Sequence, residues 1–417
     1  MLERVPLLEK QVSDYAGVVG IDVIDRIREL AEPFQGLRVL HLNATAYGGG
    51  VAELLATHVP LLRSIGIDAD WQVMQGSDQF FAVTKGVHNA LQGGRIDWSP
   101  LEQKIYLEKL LDNSFLFDSQ YDIVVVHDPQ PVAILSFLRD RLGPSVTDTS
   151  WVWRCHIDLT DANPEVWEFF RPFVEQYDAS VWTMPEFVPA SLQMDRVVQA
   201  PPCIDPLSVK NLDLAMPFCE ELARQYGVDV RRPIVCQVSR FDPWKDPVGV
   251  IKAFRIVREK VSDAQLVLAG SMATDDPEGF RVWEETEQAR AGDKDIYLLS
   301  NLHQVGSVQI NAFQRVADVV VQKSVREGFG LTVSEALWKG RPVVGGRAGG
   351  IKLQIRDGYD GYLVDSIDEC ARRTIDLLAD PVGADALGAQ GREHVRENFL
   401  STRELEDWLR LYKELRW

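Results

Sequence analysis

Lys323-Ser-Val-Arg-Glu-Gly-Phe-Gly-Leu-Thr-Val-Ser-Glu-Ala-Leu-Trp-Lys-Gly340 decides how the chain is read, because a glycine-containing loop there runs straight into a short helix. Gly328 and Gly330 lack side chains, so backbone N–H groups can approach a ligand closely, and the helix that follows adds its positive dipole end. Such a loop suits an anion. Glu327 opens it, and Glu335 follows eight residues later, about one turn into the helix, where a carboxylate can accept hydrogen bonds from ligand hydroxyls. A phosphate joined to a polyol is the simplest occupant. An ordinary strand–loop–helix turn with two solvated glutamates would satisfy the same letters. Gly340 fits a helix C′ position, and residues 341–345 read as a buried strand.

Upstream, residues 233–238 form an apolar strand that ends in Ser239-Arg-Phe-Asp-Pro-Trp-Lys245, with a helix expected from about 248 to 260. Residues 265–269, 296–299 and 319–322 are further strands, the last feeding the opening loop, and Gly349-Gly350 begins another helix. Three strand ends in this half therefore deliver Arg240 with Lys245, Ser271 with Met272, and Glu327 with its glycines and Glu335. Two fixed cations after one strand suit a diphosphate, which arginine can grip with paired hydrogen bonds. Surface charges flanking a turn are the alternative.

The first half repeats the architecture. Residues 37–42 make an apolar strand, Asn43-Ala-Thr-Ala-Tyr-Gly48-Gly49-Gly50 a turn, and Val51, Leu54, Leu55, Val59, Leu62 and Ile65 the apolar stripe of a helix. Strand, glycine turn and helix open a nucleotide-binding α/β domain, although plain chain reversal also uses such a turn and the dinucleotide G-x-G-x-x-G pattern is absent. Strands at 69–74, 122–126, 151–155 and 181–183 alternate with helices at 132–142 and 165–177, which predicts a parallel sheet covered on both faces. Two polar clusters stand at strand ends, His127-Asp128-Pro-Gln130-Pro131 and His156-Ile-Asp158. Each histidine could equally be a core or capping group. Residues 1–35 read as an acidic helical lead-in, and the proline-rich 198–212 as a hinge. The expected domains are 1–205 and 206–399, with an amphipathic helix at 400–417 packing back on the first.

The bulk numbers agree with two domains. The chain has 417 residues, 46% of them apolar, more than one core usually serves. A formal charge of −18 argues against nucleic acid or an anionic membrane as partner. Five widely spaced cysteines suggest neither a disulfide framework nor a zinc site, and the expected setting is cytoplasmic. No apolar run approaches the roughly 20 residues that span a bilayer.

Val238-Ser-Arg-Phe-Asp-Pro-Trp-Lys245 together with Arg326-Glu-Gly-Phe-Gly-Leu-Thr-Val-Ser-Glu335 resembles the paired donor-site motifs of retaining nucleotide-sugar glycosyltransferases of family four. Their GT-B fold has two Rossmann-like doubly wound domains facing a central cleft. More narrowly, His127 to Pro131, Trp153-Arg-Cys-His-Ile-Asp158, Ser239 to Lys245 and Asp275-Asp-Pro-Glu-Gly279 resemble trehalose glycosyltransferring synthases and the related trehalose phosphorylases. The resemblance implies that Arg240 and Lys245 hold the leaving diphosphate, Glu335 the ribose hydroxyls and Glu327 the donor-sugar hydroxyls. His156 would lie near the donor sugar, and Gly49 and Gly50 would line phosphate and acceptor. His127, Asp128, Gln130, Asp158, Met272, Gly328, Phe329, Gly330 and Leu331 complete the expected substrate contacts. Asp246 stands where many relatives have glycine, which puts the turn geometry in question.

The implied activity is transfer of glucose from a nucleoside-diphosphate glucose to glucose, forming trehalose reversibly, with ADP-, UDP- and GDP-glucose all open as donors. No tightly bound cofactor is expected, Mg2+ being at most a stimulant, and no Asp-x-Asp sequence of the kind that holds a divalent ion is recognised. A homodimer is implied by the resemblance alone. The rivals are a trehalose phosphorylase, a family-four enzyme with another acceptor, and a catalytically silent sugar-nucleotide sensor.

Overall fold

The computed structural model describes residues 1–47, 49–118, 120–146, 148–272 and 277–416. The chain divides into two compact units, Met1–Pro202 with Ser401–Trp417, and Cys203–Leu400.

The first unit is built on β1 (Glu3–Arg4), β2 (Arg38–Asn43), β3 (Asp68–Val73), β4 (Ile123–His127), β5 (Ser150–Arg154), β6 (Ala179–Trp182) and β7 (Val197–Gln199). They lie in the order β1-β3-β2-β4-β5-β6-β7. Every pairing from β3 to β7 is parallel. The expectation of a purely parallel sheet needs one correction, since β1 adds antiparallel to β3. Arg4 holds this edge through Asp70 at 2.7 Å, within the segment read as a helical lead-in. The hinge is also shorter than expected, because Val197–Gln199 pairs with β6. The β4 run Ile-Val-Val-Val-His is buried throughout, as a strand covered on both faces requires. Helix Ser401–Arg416 contributes Leu405, Trp408, Leu409 and Tyr412 to this unit's core beside Val59, Leu62 and Val39.

The second unit contains β8 (Ile234–Val238), β9 (Gln265–Gly270), β10 (Ile296–Ser300), β11 (Val319–Gln322), β12 (Val343–Gly346) and β13 (Tyr362–Val364) in the order β10-β9-β8-β11-β12-β13. All pairings are parallel. This is the doubly wound order of nucleotide-binding sheets. Helix Pro247–Arg258 buries Val250, Ile251, Phe254 and Val257 against it, and helix Ile367–Ala379 adds Cys370, Ala371 and Leu377. All five cysteines are buried and none is in a disulfide. Among the described residues no helix is long and apolar enough to cross a membrane.

Candidate active site

In the second unit the strand order reverses between β8 and β11, and in such sheets ligands sit beyond the carboxyl ends of the strands at that reversal. The loops that emerge there carry the expected charges. Lys245 Nζ donates to Glu327 Oε2 at 2.6 Å, and Ser324 Oγ donates to the same oxygen at 3.1 Å. Both partners of the pair are largely withdrawn from water, with side chains 16% and 10% exposed. Arg240 shares the β8 loop but is 56% exposed, with Nη2 3.4 Å from Asp242, so its guanidinium is loosely held.

Asp246 resolves the question raised by the missing glycine. It takes up the left-handed conformation itself, at φ +48°, which aspartate tolerates better than most residues. Its side chain then caps helix Pro247–Arg258 by accepting from Gly249 N at 3.0 Å and pairs with Lys323. The aspartate thus ties the β8 loop to the β11 loop. Two glycines let these loops close on the sheet: a Cβ at Gly270 would lie 1.6 Å from Ser239 O, and one at Gly346 2.2 Å from Ser324 O.

Gly330, at φ +86°, starts helix Leu331–Trp338. Phe329 is buried against Phe399, and its carbonyl accepts from Gln354 Nε2 at 2.5 Å, which anchors the loop. Gly328 and Leu331 are half-buried beside it. Met272 is buried near Phe241, its backbone bonded both ways to Asn301 at 2.7 and 3.1 Å. Glu335 is buried, with Lys210 Nζ 3.1 Å away, yet neither carboxylate oxygen accepts a hydrogen bond within the described residues. Sequence reasoning missed Lys210, because a single lysine inside a stretch read as a hinge carries no signal, and it missed the structural use of Lys323.

In the first unit the order reverses between β2 and β4. Gly49 caps helix Gly50–Ser64 there, and a Cβ on it would meet nothing within 4 Å, so packing does not demand the glycine. Gly48 lies outside the described residues, as do Asp275 and Asp276. His127 ends β4 and His156 follows β5, and their rings meet at His127 Nδ1 and His156 Nε2, 2.9 Å apart. Asp128 adopts φ +63° and accepts the His156 backbone N–H at 2.8 Å. Burial pushes its carboxyl up to about 6, against the pull of that N–H and of Arg154. Gln130 and Asp158 are half-buried nearby in sequence, Asp158 accepting from Thr160 N at 2.9 Å.

The bare Asp-x-Asp spacing occurs twice, at Asp68–Asp70 and Asp293–Asp295. Both are occupied by arginines: Asp70 by Arg4 and Arg63 at 2.7 and 3.3 Å, Asp293 by Arg258 at 2.6 Å and Asp295 by Arg232 at 2.8 Å.

A family model described as trehalose synthase, N-terminal domain, matches residues 41–189, and one described as glycosyl transferases group 1 matches residues 219–394. The trehalose synthase of Rubrobacter xylanophilus is 49% identical over all of this chain and 99% of its own length. This chain belongs to the trehalose synthase family. It is therefore a glycosyltransferase, and its chemistry is trehalose-related glycosyl transfer. Another member, from Pyrococcus horikoshii, is 44% identical across 98% of this chain and 97% of its own. A solved trehalose-phosphate synthase from Burkholderia xenovorans superposes with a TM-score of 0.71 over 92% of this chain and 100% of its own, at 14% identity. That likeness establishes the GT-B fold for this trehalose synthase family member.

Proposed function

We propose that the chain transfers glucose from a nucleoside-diphosphate glucose to glucose, with retention at the anomeric carbon and reversibly, forming α,α-trehalose. The observation that carries this reading is the basic pair Arg240 and Lys245 at the strand-order reversal, with Glu327 drawn 2.6 Å from Lys245. Breaking the bond between the sugar and the diphosphate builds negative charge on the leaving oxygens, and preorganised cations and amide dipoles lower that barrier. Glu327 is fixed by Lys245 and Ser324, which suits it to receiving sugar hydroxyls and not to attacking carbon. We assign no opposed carboxylate pair for double displacement. The leaving phosphate itself takes the acceptor proton on the same face. Glu335 and its unbonded oxygens beside Lys210 suit the two ribose hydroxyls of a nucleotide. His156, Gly49 and Gly50 serve the sugars.

No tightly bound cofactor enters this scheme, and Mg2+ acts at most as a stimulant. The family resemblance extends the proposal to a cytoplasmic homodimer, whose oligomeric state sedimentation would check. The deciding experiment supplies ADP-, UDP- and GDP-glucose with glucose, and trehalose with ADP, UDP or inorganic phosphate. Trehalose formation from at least one nucleotide donor, persisting in EDTA, is expected. Turnover of trehalose with phosphate alone would instead make the protein a phosphorylase, and binding without turnover a sensor.

A further inference from the structure

Behind His156 the first unit contains more polar chemistry than the transfer reaction uses. His41, in the middle of β2, presents Nδ1 to His127 Nε2 at 3.0 Å, so His41, His127 and His156 form one continuous file of imidazoles. His41 and His127 are buried and His156 half-buried. A cavity lined by all three rings together with His58, Arg154, Glu404 and Trp408 runs beside the file, with room for about one water molecule. His41 Nε2, both nitrogens of His58 and Arg154 Nη1 make no hydrogen bond within the described residues. Four unsatisfied polar atoms around one small cavity call for a shared partner. A metal is not indicated, since no group of three or more His, Cys, Asp and Glu among the described residues is arranged to hold one.

We propose that His127 and His41 are positioning residues for the transfer reaction, fixing the ring and tautomer of His156, and that Glu404 sets the polarity of the file through a water in the cavity. The proposal rests on the reading that His156 faces the donor sugar. Its logic is one of hydrogen-bond direction. While Glu404 carries its proton, it donates through the water to His41 Nε2. Each ring then accepts at Nε2 and donates from Nδ1, leaving an N–H on His156 Nδ1. When Glu404 is ionised it accepts instead, all three rings carry their proton on Nε2, and His156 Nδ1 offers a lone pair. The rings stay neutral in both states, and one proton is lost overall: the Glu404 proton enters the file through the water at His41 Nε2 as another leaves from His156 Nδ1.

The surroundings fit this division of roles. Burial holds His41, His127 and His156 well below the usual histidine range and brings His58 down to about 3, so none of the rings is charged near neutrality. Burial pushes Glu404 up to about 7, against the pull of Arg403 and Arg154, with Asp407 adding to the rise and Trp408 opposing it through a hydrogen bond. The groups that face the file are therefore His58 from helix Gly50–Ser64, Arg154 from β5, Asp128 from the β4 loop, and Glu404, Arg403 and Asp407 from helix Ser401–Arg416.

The test combines 15N spectra of histidine-labelled protein with kinetics from pH 5.5 to 8.5 for wild type, Glu404→Gln, His41→Leu and His41→Asn. In wild type the His156 nitrogens should exchange their protonated and bare signatures near pH 7, and Glu404→Gln should freeze one pattern. His41→Leu should lower kcat by about tenfold to a hundredfold with KM changed little, as loss of orientation does. His41→Asn, whose amide still reaches His127 but not the cavity, should recover most of that loss and remove the pH dependence. A His156 tautomer that ignores both pH and Glu404→Gln overturns the proposal. So does His41→Asn behaving like His41→Leu while both unfold at the wild-type temperature. The spectra need no turnover, so absence of trehalose synthesis would count against the proposed function and not against the file.

Discussion

At the residue scale, exposure separates the two cations of the second unit. Arg240 is largely in water and touches little, so Arg240→Ala should cost no measurable stability while lowering kcat/KM by roughly 10²–10³-fold, as loss of a charge-stabilising donor does. Steady-state kinetics beside thermal unfolding checks both halves. Lys245→Met differs, because it strands Glu327 in a nearly buried position; pairing it with Glu327→Gln should cost less than the sum of the single changes. Asp246 predicts an inversion of the usual rule for left-handed positions. Asp246→Gly relieves backbone strain but removes both the helix cap and the Lys323 pair, so it should lose about 1–2 kcal/mol by urea titration where a glycine would ordinarily be harmless.

At the element scale, what was legible in the sequence was the alternation itself. Strands such as Ile234–Val238 and Val319–Gln322 announce themselves as predominantly apolar runs, and the loops after them carry Arg240, Lys245 and Glu327 next to glycine and proline, where sequence punctuation is strongest. The two-residue β1 has no periodicity to detect. Helices Asp78–Leu91 and Pro100–Leu116 went unread although Ser99 and Glu102 form a capping box with Pro100 at the first helical position, a signature that was there to be used. The histidine file was legible only in part. His127 and His156 stand at strand ends, but His41 lies inside a strand and Glu404 comes from the far end of the chain, so only the parallel register and the packing of the last helix bring them together. Gly270 belongs at this scale too. Gly270→Ala forces its new methyl into Ser239 O and must displace the loop that bears Arg240. The expected result is a loss of about 1–3 kcal/mol and a larger fall in activity than in stability.

At the scale of the whole molecule, buried titratable groups oppose one another across pH. Glu404 and Asp128 have native values raised to about 7 and about 6, so the folded state binds more protons than the unfolded one, and their contribution is lost as pH rises through those values. The four histidines of the file and its cavity have native values lowered, so theirs is present above their ordinary 6.5 and is lost as pH falls below it. Resistance to urea should therefore peak between about pH 6 and 7. Glu404→Gln should flatten the fall just above that peak and steepen the rise below it, since the raised Glu404 carboxyl acts between its ordinary value and about 7.

The short strand at the start of the chain has a further consequence. By pairing with β3 through Val73 and Gln72, Glu3–Arg4 hides backbone donors and acceptors that would otherwise be open to a strand from another molecule. Trimming the first five residues should leave folding largely intact yet make concentrated solutions turbid on standing, since the bared edge would be free to zip onto its own kind.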